Sequence, residues 1–144
     1  MVLINPQKIV IKKMMDTGTS IVITNFSINE PGMSCPCCDG NKIQYKVLEA
    51  LQIVRNSLQL PISIASGYRC ETYNRGIGSK ITSSHIKGLA VDISIYHSTY
   101  AYLLMKAIYK TEVFKRIGFG EIKGKTVLHL DLDLDKIQNV LFGY

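Results

Sequence analysis

At 144 residues, with 47% hydrophobic and 19% charged side chains, the chain has the size of one compact domain, and its apolar content allows it to bury about two-thirds of its unfolded surface. Its apolar runs fall far short of the roughly 18 residues a membrane span requires, and residues 1–15 alternate apolar side chains with Lys and Gln where a signal peptide would have an apolar core. No membrane insertion is therefore expected, nor an export signal, with synthesis in the cytoplasm. The formal net charge of +6 favours polyanionic partners, but Lys and Arg are scattered with no block of five or six, which argues against nucleic acid and leaves acidic polymers or peptides.

In chain order, two β-branched runs, at 9–11 and 21–23, flank Asp16-Thr17-Gly18 and predict a hairpin, or a strand after a short helix. Over residues 42–60 the apolar positions Ile43, Val47, Leu51, Val54 and Leu58 recur at spacings of three and four, which predicts an amphipathic helix stopped by Pro61. Residues 62–67 alternate apolar with small side chains, as a half-buried strand does, and lead into a loop through Gly76 and Gly78. Ser98 is read as the cap of a second helix reaching about Tyr109, with Tyr102, Leu103, Met105 and Ala107 among its apolar positions; His97 before it reads as ordinary surface. Two strands, 116–121 and 126–134, follow with Ile122-Lys123-Gly124-Lys125 as a hairpin connection. No repeat or linker divides the chain, so the pattern is one small α+β domain.

Chemistry concentrates in Ser83-Ser84-His85-Ile86-Lys87-Gly88-Leu89-Ala90-Val91-Asp92 and in His129-Leu130-Asp131. Strand parity gives these residues a direction. Over 89–95 the bulky residues hold odd positions, leaving Ala90, Asp92 and Ser94 on the opposite face; over 128–135 the leucines hold even positions, so His129, Asp131, Asp133 and Asp135 share the other face, neighbours about 6.6 Å apart. If the two strands lie in one sheet, His129 approaches Asp92, and His85 closes the triangle from the loop that Gly88 permits. Two imidazoles and one carboxylate, with a fourth position left to water, are the ligand set of a catalytic zinc; calcium or magnesium would favour oxygen alone.

These residues resemble the zinc peptidoglycan peptidases, which include D-alanyl-D-alanine carboxypeptidases and L-alanyl-D-glutamate endopeptidases and are structurally akin to the hedgehog signalling domain. The family signature S-x-H-x-x-G-x-A-x-D is filled by Ser83, His85, Gly88, Ala90 and Asp92. The likeness extends from 26–30 through the Cys35 to Cys38 cluster and Ser66-Gly67-Tyr68-Arg69-Cys70 to Gly118-Phe119-Gly120 and His129-Leu130-Asp131. It implies a mostly antiparallel central sheet flanked by helices, a zinc peptidase domain over 25–144, and an extension over 1–24 packed on it. Zinc would be bound by His85, Asp92 and His129. Arg69 would bind a substrate carboxylate or the developing oxyanion, and Ser83 would donate a hydrogen bond within the site or orient a ligand.

One departure concerns the proton acceptor. Many relatives carry Asp or Glu three residues before the last ligand, where this chain has Thr126. Asp131 is the first choice in its place, with Glu121 and Asp133 behind it; the rival reading is that Asp131 fixes His129 or the strand edge. The implied activity is hydrolysis of an amide in peptidoglycan stem peptide, as carboxypeptidase or endopeptidase, by a monomer that reaches the wall by holin release or on a virion. The alternative is a non-catalytic module that binds wall peptide or serves in a phage structure. Cys35, Cys37, Cys38 and Cys70 leave a structural zinc, a disulfide and buried thiols all open. A staple near the Arg69 loop is favoured over a second metal, since the adjacent Cys37 and Cys38 strain a tetrahedron.

Overall fold

The computed structural model describes residues 21–143. The run at 9–11, the Asp16-Thr17-Gly18 turn and most of the expected extension 1–24 lie outside them, while 21–23 adopts no regular secondary structure.

Helix α1 (Tyr45–Leu58) follows the predicted apolar stripe, burying Val47, Leu51, Val54 and Leu58. It begins two residues after Ile43, whose N–H is taken by the Asn41 side chain at 2.9 Å, and it ends where Gln59 turns left-handed (φ 60°) ahead of Pro61. Strand β1 (Ile64–Ser66) leads to a short helix α2 (Glu71–Gly76) in the stretch expected to be loop. What starts α2 is the Cys70 sulfur, which accepts the Tyr73 N–H at 3.4 Å. Strand β2 (Ala90–Ser94) is followed by α3 (Ser98–Thr111), whose cap is His97 and not Ser98: the imidazole Nδ1 accepts the Tyr100 N–H at 3.2 Å.

Strands β3 (Arg116–Ile122) and β4 (Lys125–Asp131) form the expected hairpin. Its two-residue loop, Lys123-Gly124, has both φ angles positive, at 49° and 75°, the backbone that matches the twist of paired strands. The β4 strand stops at Asp131, three residues short of expectation, and a further strand, β5 (Val140–Gly143), follows.

The five strands run in the order β1-β2-β4-β3-β5, antiparallel except for the β3–β5 pair. One face of the sheet carries Val91, Ile93, Ile117, Leu128 and Leu130 into a core shared with Val47, Leu51 and Val54 of α1 and Leu104 and Ile108 of α3. Each such side chain, fully withdrawn from water, contributes roughly 1.5–3 kcal/mol. The opposite face at the sheet centre is thereby free to hold polar chemistry on a rigid backing.

Candidate metal centre

Register places the motif residues in one row. Asp92 is the cross-strand partner of His129 in the β2–β4 pair, with Ser66 of β1 on the far side of Asp92 and Gly118 of β3 beyond His129. His85 enters from the loop before β2. Its Nε2 lies 3.2 Å from Asp92 Oδ1 and 3.2 Å from His129 Nδ1, and those last two atoms are 3.0 Å apart. A tetrahedral zinc with bonds of about 2.0–2.1 Å spaces its ligand atoms about 3.3 Å apart, so the triangle has the dimensions such an ion needs.

The remaining atoms of each candidate ligand are held from behind. His85 Nδ1 donates to the Gly67 carbonyl at 2.6 Å, which leaves the Nε2 lone pair for a cation. His129 Nε2 donates to Asp131 Oδ2 at 2.8 Å, freeing Nδ1 in the same way. The second oxygen of Asp92 takes the Arg69 guanidinium, whose Nε is steadied by Ser66 Oγ at 2.9 Å. Ser83 Oγ accepts the His85 backbone N–H at 3.3 Å and so shapes the turn that carries this ligand.

A family model described as peptidase M15 matches residues 24–131 of the 144. The chain belongs to the peptidase M15 family. No curated protein matches it. M15 peptidases are zinc-dependent metallopeptidases, and the donor set, spacing and backing of His85, Asp92 and His129 fit that metal.

Protonation in this M15 peptidase is arranged for a cation. Burial holds His85 below the ordinary histidine value against the pull of Asp92. Burial alone would push Asp92 towards its acid form, yet the charges and hydrogen bonds of the two imidazoles hold it far below the usual carboxylate range. For His129, burial is outweighed by the hydrogen bonds to Asp131 and Asp92, which raise it: two carboxylates favour positive charge at this point.

The triangle opens into a cleft of about 470 Å³. Arg69, Lys80, Arg116 and Lys136 line it with a single acidic side chain, Asp131. Asp131 is itself fully engaged, taking Arg116 Nε at 2.9 and 3.1 Å and the Asp133 N–H at 3.1 Å besides His129. This placement favours the fixing of His129, the second of the two roles read for Asp131, over that of proton acceptor.

The other candidates lie elsewhere. Glu121 and Thr126 are cross-strand partners and share the parity of Leu128 and Leu130, so both belong to the face away from His129. Asp133, beyond the end of β4, loses the strand parity expected of it; it takes the Lys87 ammonium at 3.0 Å and the Ser84 hydroxyl at 3.0 Å, tying the His85 loop to the segment after β4. Asp135 is exposed and pairs with Lys87 at 3.1 Å.

Two contributors escaped the reading of the sequence. Arg116 is the register partner of Asp131, and Phe142 of β5 is that of Gly118. The Phe142 ring lies edge-on to His129, centroids 5.7 Å apart, with the Arg116 guanidinium over it at 5.1 Å. The apolar Val140-Leu141-Phe142 run was the available signal, but nothing in it says that the strand pairs parallel to β3 beside the site.

Proposed function

We propose that the protein hydrolyses an amide bond in peptidoglycan stem peptides, as a wall-remodelling or endolysin-like peptidase. The observation that carries this reading is the His85–Asp92–His129 triangle at the floor of a cleft lined by four cationic side chains. Stem peptides present free carboxylates, and a cationic cleft attracts them. Zinc held by the triangle would supply a Lewis acid for the scissile carbonyl and an activated water.

The protein's own groups orient the ligands and bind the substrate. Arg69 holds Asp92 in one orientation and lines the cleft, where it serves a substrate carboxylate or the developing oxyanion. Ser83 sets the His85 turn and faces the same cleft. Asp131 acts as a positioning residue for His129. The protein works as a monomer on wall that it reaches after holin release or aboard a virion; no helix among the described residues is long and apolar enough to cross a membrane.

Purified protein containing zinc should release new amino termini from isolated peptidoglycan, and chelation should stop the release. Zinc-loaded protein that binds wall without releasing termini would favour a non-catalytic binding module, the reading open to a site whose one acidic cleft residue is committed to His129 and Arg116. Mass spectrometry of the products on a defined stem peptide then separates carboxypeptidase from endopeptidase action.

Asp131→Asn tests the positioning role. Loss of such an outer partner costs about 10–100-fold in metal affinity, so activity should fall at limiting zinc and recover when zinc is raised. Activity that stays lost with zinc fully bound would instead assign Asp131 the proton.

A further inference from the structure

Away from the cleft, a second set of ligands converges. Cys35, Cys37, Cys38 and Cys70 bring their sulfurs within 4.8 Å of one another, with 3.7 Å between Cys35 and Cys37 and 3.3 Å between Cys37 and Cys70. All are free thiols. Four thiolates about 2.3 Å from a zinc ion stand about 3.8 Å apart, close to the spacing seen. A disulfide would use only two of the four.

The backbone makes the convergence possible. The Cys35 N–H donates to the Gly40 carbonyl at 2.7 Å and the Asp39 N–H to the Cys35 carbonyl at 3.0 Å, closing residues 35–40 into a knuckle with Asp39 left-handed at φ 54°. That turn brings both Cys37 and Cys38 to the same centre, which answers the objection that adjacent cysteines strain a tetrahedron. Cys70 arrives from the start of α2.

Donors are already aimed at sulfur. The Cys70 N–H points to Cys35 Sγ at 3.3 Å and the Tyr73 N–H to Cys70 Sγ at 3.4 Å, outer hydrogen bonds of the kind that orient a liganding atom. Cys37 and Cys38 are exposed, which gives an ion a way in.

We propose that Cys35, Cys37, Cys38 and Cys70 form a structural zinc site separate from the His85–Asp92–His129 centre. Its four ligands close the coordination sphere, so it stabilises and does not catalyse. What it stabilises is the wall behind the first site. The chain leading into the knuckle backs Gly67 and Tyr68, with the Tyr68 N–H on the Met33 carbonyl at 2.9 Å and no room for a Cβ at Gly67, which would stand 2.7 Å from that same oxygen. Gly67 in turn holds His85, and Arg69, next to Cys70, holds Asp92.

Metal analysis of the full chain after dialysis should find two zinc ions per molecule in the wild type, one in His85→Ala and one in Cys37→Ser. Without any variant, titrating the wild type with an organomercurial should release one zinc as the four thiols are blocked. Cobalt taken up in place of that zinc should show intense thiolate charge-transfer absorption, which imidazole and carboxylate ligands do not produce. A wild type with one zinc that His85→Ala loses, or thiols that react freely while all zinc stays bound, would overturn the proposal. A wild type with one zinc that His85→Ala keeps and organomercurial releases would uphold it while removing the reading of the first site.

Discussion

Asp92→Asn should abolish zinc retention at the His85–His129 pair and, with it, the proposed wall hydrolysis, by about a thousandfold or more. The substitution keeps the shape of the side chain and removes its charge. Asp92 is fully buried, with one oxygen in the ligand triangle and the other on Arg69. The change therefore takes away the only anionic ligand and also leaves a buried guanidinium without its counter-ion. Breaking a buried pair from one side costs about 3–5 kcal/mol, so the variant should melt well below the wild type even when both are metal-free. Zinc content, stem-peptide turnover and thermal unfolding of the stripped proteins are the three measurements. A variant that kept its zinc and its rate would remove Asp92 from the site.

Gly88→Ala should be the most damaging change of a single methyl group. Gly88 sits at φ 68°, and a Cβ built there would lie 1.8 Å from the Lys42 carbonyl oxygen. That oxygen belongs to backbone that cannot swing aside, because the Gln44 N–H is bonded to the Gly88 carbonyl at 2.9 Å and the Gln44 side chain to the Lys87 carbonyl at 3.0 Å. Strained backbone and forced separation together should cost about 4 kcal/mol or more, beyond the usual range for point changes. The His85 loop would be pushed off the segment before α1, displacing His85, so zinc affinity should fall along with the melting temperature. Unaltered unfolding in a calorimeter would show that the loop and the segment before α1 are less tightly joined than their distances state.

These two sites differ in how visible they were beforehand. Asp92 and His129 declared themselves through parity: alternation over 89–95 and 128–131 assigned each to the face opposite the bulky residues, and register then set them side by side. Parity failed where the strand failed. Past Asp131 the chain leaves the sheet, so Asp133 turns to Lys87 and Ser84, and Leu134 ends 79% exposed where continued alternation would have buried it. Thr126 shows the converse, since three residues along a regular strand is an odd step and lands on the wrong face for the site.

What local pattern by itself determined is the set of elements with strong periodicity, the α1 stripe, the β3–β4 turn, and the shared direction of Asp92 and His129, because a side chain's direction along a helix or strand follows from backbone geometry alone. Which groups stand behind those ligands was decided only by the tertiary structure. The occupation of Asp131 by Arg116 and His129, the Phe142 ring over the site and the meeting of Cys70 with a knuckle more than 30 residues earlier all depend on strand order and loop closure. Such contacts join residues whose separation in sequence carries no periodic signal, and they form only when the whole sheet has been assembled around its core.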